Sequence, residues 1–93
     1  MKHILIIDSD EELSKILGDY LKSEQYSVSI ALNGESGVRK AINQPFDAII
    51  LDIPLPQKNG FEVLKVIRGY TDTPVLILTA NDVEINKLIF CLH

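Results

Sequence analysis

Two aspartates stand where apolar runs end, in distant parts of the chain. Asp8 follows ILII at 4–7, and Asp52 ends the stretch FDAIILD at 46–52. Carboxylates held within a few ångströms repel each other, so they either raise a pKa or share a cation. Mg²⁺ suits such a pair, because it takes one or two carboxylates together with waters and phosphate oxygens. An aspartate at a strand end is also a nucleophile that can attack phosphorus and form an aspartyl phosphate.

A hydroxyl group ends another apolar run. Thr79 closes TPVLILT at 73–79, and its side chain could donate a hydrogen bond to a phosphoryl oxygen. Taken alone, a threonine at a strand end fits a structural role as well as a chemical one. A chemical role for Thr79 therefore depends on whether the fold brings it close to the two aspartates.

The hydrophobic pattern predicts the elements that position these residues. Continuous apolar runs at 4–7, 46–52 and 74–79 indicate strands buried on both faces, and the half-polar segment 27–32 indicates an edge strand. The segments between and after these strands have helical spacing, and an Asn-Gly-Glu stretch at 33–35 starts the second helix. The predicted inward stripes are Leu13, Ile16, Leu17, Tyr20 and Leu21; Val38, Ala41 and Ile42; Phe61, Leu64 and Ile67; and Ile85, Leu88, Ile89 and Leu92 in a fourth helix over 82–92.

This alternation predicts an α/β fold, a doubly wound parallel sheet with helices on both faces. The edge character of 27–32 favours the flavodoxin-like strand order 2-1-3-4, whose switch point lies between the first and third strands. Ligands bind beyond the carboxyl ends of the strands there, so the pattern places Asp8 and Asp52 in one crevice. No strand follows to cover the apolar fourth strand. We therefore expect its open edge to form a homodimer or a strand-swapped oligomer.

Length and charge narrow the class of protein. The 93 residues predict one domain over 1–93, and 13 acids against 9 bases argue against a broad basic face for nucleic acid. The single cysteine, Cys91, cannot form an internal disulfide, which favours a cytoplasmic setting. The apolar runs are too short to span a membrane, and the N-terminal residues do not read as a signal peptide.

Three stretches carry a family resemblance: ILIIDSDEEL, FDAIILDIPLPQKNGFEVLKVIR and TPVLILTA. In these, and over residues 3–92 as a whole, the chain resembles the receiver domain of two-component response regulators. It looks most like receivers that precede a winged-helix, DNA-binding output domain. The resemblance implies a CheY-like fold lacking strand 5 and helix 5. It also implies a signalling module rather than an enzyme, phosphorylated by a sensor histidine kinase and contacting DNA only through an output domain absent from this chain.

The resemblance also assigns roles to individual residues. Asp52 would be the phosphoacceptor and a Mg²⁺ ligand, and Asp8 would be the first of the acidic pair that holds the metal. The backbone carbonyl of Pro54 would be a further ligand. Thr79 would be the switch hydroxyl that turns towards the phosphoryl group.

Ser9 departs from this pattern, because it stands where the family has a second metal-binding acid. A serine hydroxyl is a weak Mg²⁺ ligand beside a carboxylate. The stretch SDEE at 9–12 also fits a capping box, in which Ser9 caps the first helix and Glu12 reaches back. A second departure is the phosphoryl-contacting lysine of strand 5, which the 93 residues do not reach.

These departures leave two functional hypotheses open. One is a phosphorylatable receiver, and the other is a degenerate receiver that serves as a phosphorylation-independent interaction module. A flavodoxin-type electron carrier is disfavoured. The first strand-helix turn lacks a Ser/Thr/Gly-rich phosphate loop, and its acids would repel a flavin phosphate.

Overall fold

The computed structural model describes residues 1–52, 60–80 and 87–92, with residues 79, 80 and 87–92 described by their backbone. The ends of the four predicted strands differ from those of the first four observed strands by at most two residues. The elements are β1 (His3–Ile7), α1 (Glu11–Ser23), β2 (Ser27–Ala31), α2 (Gly34–Asn43), β3 (Ala48–Asp52), α3 (Gly60–Arg68), β4 (Val75–Ala80) and β5 (Lys87–Leu92).

The strands form one sheet in the order β2-β1-β3-β4-β5. The first four run parallel, which confirms the predicted order 2-1-3-4 with β2 at an edge. At the end of β1, Ile7 lies beside Ala31 of β2 on one side and Leu51 of β3 on the other. The strand order therefore reverses between β1 and β3, where the pattern placed the crevice.

The helix predicted over 82–92 is wrong for residues 87–92, which form β5. This strand pairs antiparallel with β4, from Val75 opposite Leu92 to Ala80 opposite Lys87. An apolar edge strand presents a row of unpaired N–H and C=O groups, and pairing with them outweighs the local helical periodicity. The start of the predicted helix, and Ile85 with it, lies outside the described residues.

The same pairing corrects the expectation of an open β4 edge. The edge on which a homodimer or strand-swapped oligomer was predicted is occupied by the chain's own β5 along all six residues of β4. Satisfied backbone groups no longer offer a template for another chain, so the reason for that assembly is lost.

A hydrophobic core lies on each face of the sheet. Residues 4–7 and 49–51 are buried, as the continuous apolar runs predict. On the face covered by α2 and α3, the buried core consists of Leu5, Ile7, Ala31, Ala41, Ile49, Leu51, Val63, Ile67, Val75 and Ile77. On the face covered by α1, it consists of Ile4, Ile6 and Ile50, with Leu17, Leu21, Tyr26, Val28, Ile30, Leu76 and Leu78 packed against them.

The inward face of α1 differs from the predicted stripe. Leu17 and Leu21 pack on the core, but Ile16 and Tyr20 are 60% and 61% exposed. The buried positions between the leucines are small residues, Ser14 and Gly18. Ile16 and Tyr20 each lie two residues from Gly18 and therefore on the other side of the helix, where they face solvent.

The other two helices correct the predicted stripes at one residue each. In α2, Ala41 is buried as predicted, whereas Ile42 is 40% exposed. In α3, Val63 and Ile67 form the buried face and Phe61 is exposed, because it lies two residues from Val63 and on the other side of the helix.

Candidate functional site

Asp8 directly follows β1 and is held at every polar group of its backbone. Its N–H donates to the carbonyl of Ala31 at 3.0 Å, and its carbonyl accepts from Ser14 Oγ at 3.4 Å. Its carboxylate Oδ1 accepts from the backbone N–H of Asp10 at 2.9 Å. The residue is 1% exposed, so this carboxylate is buried and fixed in position.

Asp52 is the last residue of β3 and is 5% exposed. Because Ile7 pairs with Leu51, Asp8 and Asp52 occupy the next position on two adjacent parallel strands. Adjacent strands lie about 4.8 Å apart. The strand register therefore places Asp8 and Asp52 next to each other at the same end of the sheet, as the sequence pattern predicts.

Thr79 reaches the same end of the sheet. Leu78 of β4 lies opposite Asp52, so Thr79 occupies the next position, one strand away from that aspartate. On its other side it pairs with Leu88 of β5. Pro54, the predicted source of a carbonyl ligand, lies outside the described residues.

Asp10, not Ser9, caps α1, which corrects the predicted capping box. Asp10 has extended backbone angles, and its Oδ1 accepts from the N–H of Leu13 at 3.0 Å. Aspartate caps a helix as well as serine does, and the bond from the Asp10 N–H to Asp8 holds residue 10 at the turn. Glu12 is then one position too early to complete a capping box, although Glu11 and Glu12 still favour the helix dipole. Ser9 is exposed beside Asp8.

The donor set fits a small, hard cation. Among the described residues, no group of three or more His, Cys, Asp or Glu side chains is arranged to hold a metal ion. Two buried carboxylates side by side nevertheless match Mg²⁺, which keeps several waters and needs only one or two carboxylates alongside phosphate oxygens. Asp8 and Asp52 are the residues that would hold it.

Ser14 is the site residue that the sequence did not indicate. It is not among the predicted inward residues of α1, yet it is 1% exposed and contacts the carbonyl of Asp8. The available signal was its type: a polar residue at i+1 from Leu13 and i−3 from Leu17, within the inward face.

Four parallel strands in the order β2-β1-β3-β4, with two aspartates and a threonine at their carboxyl ends, define a doubly wound α/β protein that binds its ligand at this edge. The sequence model of the response regulator receiver domain matches residues 4–91. The chain therefore belongs to the receiver domain family of two-component response regulators. In the described residues, no helix is long and apolar enough to cross a membrane.

Similar proteins support this assignment. The response regulator ArlR of Staphylococcus epidermidis is 38% identical over 88 residues, which are 95% of this chain and 40% of ArlR. The transcriptional regulatory protein CpxR of Escherichia coli is 35% identical over 89 residues, covering 96% of this chain and 38% of CpxR. The chain thus spans about two fifths of the length of these relatives.

Solved structures share the fold. The response regulator TrrA of Thermotoga maritima, in complex with Mg²⁺-BeF, superimposes with a TM-score of 0.83 at 35% identity, covering 88% of this chain and 72% of TrrA. The chemotaxis protein CheY4 of Vibrio cholerae gives a TM-score of 0.82 at 32% identity, covering 87% of this chain and 70% of CheY4.

Proposed function

We propose that this receiver domain accepts a phosphoryl group on Asp52 in a Mg²⁺-dependent reaction. The observation that carries the proposal is the burial of Asp8 and Asp52 at adjacent strand ends of the switch point. Two carboxylates in this position are costly to bury unless a cation compensates for their charge. The solved complex of TrrA with Mg²⁺-BeF supports the same ligand chemistry for this family.

In the proposed reaction, a carboxylate oxygen of Asp52 forms a bond to phosphorus. The bond between phosphorus and its leaving group breaks, and the leaving group departs with the electron pair. The donor is a phosphohistidine of a sensor histidine kinase, or a small acyl phosphate. Bound Mg²⁺ would neutralise charge between the phosphoryl oxygens and the carboxylates. Asp8 and Asp52 would hold it, with the carbonyl of Pro54 and, weakly, the hydroxyl of Ser9.

The signal would leave the site through β4. Thr79 is one strand away from Asp52, and its hydroxyl would donate to a phosphoryl oxygen and bias the conformation of β4. In a longer protein of the ArlR or CpxR kind, this change would control a DNA-binding output domain. The chain itself would act as a switch and not as an enzyme.

Phosphorylation by acetyl phosphate tests the proposal. In Mg²⁺ buffer, the intact mass of the wild type should rise by one phosphoryl group, and that of Asp52→Asn should not. Asp19→Asn is the matched control, because Asp19 is an exposed acid on α1. An unmodified wild type, or equal modification of Asp52→Asn, would contradict the proposal.

A degenerate, phosphorylation-independent interaction module is the second candidate. The observation that favours it is the exposed Ser9, which adds no carboxylate beside the buried pair. If this candidate is right, the wild type stays unmodified by acetyl phosphate while the fold remains intact. A dimer through β4 is not part of either candidate, because β5 occupies that edge.

A further inference from the structure

Ser14 is a polar side chain buried under the site. It lies in the first turns of α1, is 1% exposed, and points its hydroxyl towards the strand end that carries Asp8. Its backbone is already satisfied by the helix, since its N–H donates to the carbonyl of Asp10 at 2.9 Å. The helix does not need the Ser14 hydroxyl in order to form. A hydroxyl that is nevertheless buried is expected to have a specific hydrogen-bond partner.

That partner is the carbonyl of Asp8, at 3.4 Å from Ser14 Oγ. This contact helps to fix Asp8, together with the bonds from its N–H to Ala31 and from the Asp10 N–H to its Oδ1. The Ala31 bond ties the residue to the sheet. The other two tie it to the N-terminal turn of α1. The direction of the Asp8 carboxylate is thus set jointly by a strand and by a helix.

We propose that Ser14 is a positioning residue for the metal site: its hydroxyl holds the Asp8 carbonyl, and so keeps the Asp8 carboxylate aimed at the cation between Asp8 and Asp52. The inference rests on the proposed function. Groups that orient a metal ligand without touching the metal commonly control affinity, because the ligand otherwise spends its time in unproductive orientations.

The competing explanation is that Ser14 is merely small, and lets α1 approach the sheet. Gly18, one turn later, is also small and buried, and a Cβ there would make only an ordinary contact, 3.4 Å from Ile30 Cδ1. Alanine at position 14 separates the two explanations. It removes only the hydroxyl, it preserves the close approach, and it is the best helix former.

The test is a Mg²⁺ titration followed by NMR at the Asp10 amide, which bonds to Asp8. Ser14→Ala should bind Mg²⁺ about tenfold more weakly than the wild type. Ser14→Thr, which retains the hydroxyl, should recover most of the affinity. The matched control is Ser23→Ala, because Ser23 Oγ donates to the carbonyl of Tyr20 at 2.6 Å at the far end of the same helix. Its Mg²⁺ affinity should equal that of the wild type.

Provided that the wild type binds Mg²⁺, two results would overturn the role of Ser14 without affecting the proposed function. One is wild-type Mg²⁺ affinity in Ser14→Ala. The other is an equal loss of affinity in Ser14→Ala and Ser23→Ala. If the wild type binds no Mg²⁺, the proposed function fails and this inference fails with it. The titration of the wild type therefore separates the two failures.

Discussion

Ser9 and Asp10 are neighbours with different tasks. Asp10 caps α1 and donates its N–H to Asp8, whereas Ser9 is exposed at the rim of the site. Position 9 can therefore change without loss of the helix cap. A carboxylate there would add charge beside Asp8, where the sequence has only a hydroxyl.

Ser9→Asp should accordingly strengthen Mg²⁺ binding by about tenfold, because a third negative charge lies near the cation. Its stability without Mg²⁺ should change by no more than about 1 kcal/mol, as is usual for exposed charges. Calorimetric titration and urea unfolding measure the two effects. Ser9→Asn is the uncharged control, and equal affinity in Ser9→Asp and the wild type would show that position 9 does not limit binding.

Helix α1 begins where Asp10 caps it. Asp10→Ala should lower the free energy of unfolding by about 1 kcal/mol, because the Leu13 N–H loses its acceptor. Ser9→Ala should cost less than about 0.5 kcal/mol, as for an exposed residue without a cap role. Denaturant unfolding of both variants decides between the caps, and a larger loss in Ser9→Ala would restore the capping box predicted from the sequence.

The packing of α2 on the sheet depends on a close approach at Gly37. A Cβ there would lie 2.6 Å from Cδ1 of Ile7, the last residue of β1, whereas a Cβ at Gly18 of α1 would make an ordinary contact. Gly37→Ala should therefore destabilise the fold by about 1–3 kcal/mol through overpacking. Gly18→Ala should be neutral or stabilising, since alanine favours the helix. Thermal unfolding of the pair checks this, and equal stability of the two variants would be incompatible with the packing described.

β5 forms an edge of the sheet where the sequence predicts a helix. Leu76 of β4 lies opposite Cys91 of β5, and directly opposed residues in antiparallel strands have Cα atoms close enough for a disulfide. Leu76→Cys should therefore form a disulfide with the native Cys91 on mild oxidation, seen as a loss of both thiols in the monomer. Val66→Cys, on α3, should not. Two reactive thiols in oxidised Leu76→Cys would favour the helix predicted over 82–92.

Much of the fold could be predicted because strands and helices leave different periodicities. Continuous apolar runs gave β1, β3 and β4, and parallel strand ends brought Asp8, Asp52 and Thr79 to one edge. What failed depended on contacts outside the local pattern. β5 arises from backbone pairing with β4, and the buried face of α1 is set by the small Ser14 and Gly18. The contact of Ser14 with Asp8 needs both elements in place.

Asp52, as the proposed acceptor of a Mg²⁺-dependent phosphoryl transfer, would carry an acyl phosphate that can be trapped chemically. The most direct measurement is reductive trapping with borohydride after treatment with acetyl phosphate, followed by peptide mapping, because an acyl phosphate is reduced at the residue that carries it. Reduction is expected at position 52, dependent on Mg²⁺ and lost in Asp8→Asn. Reduction at another acid, or none at position 52 with Mg²⁺ bound, would contradict it.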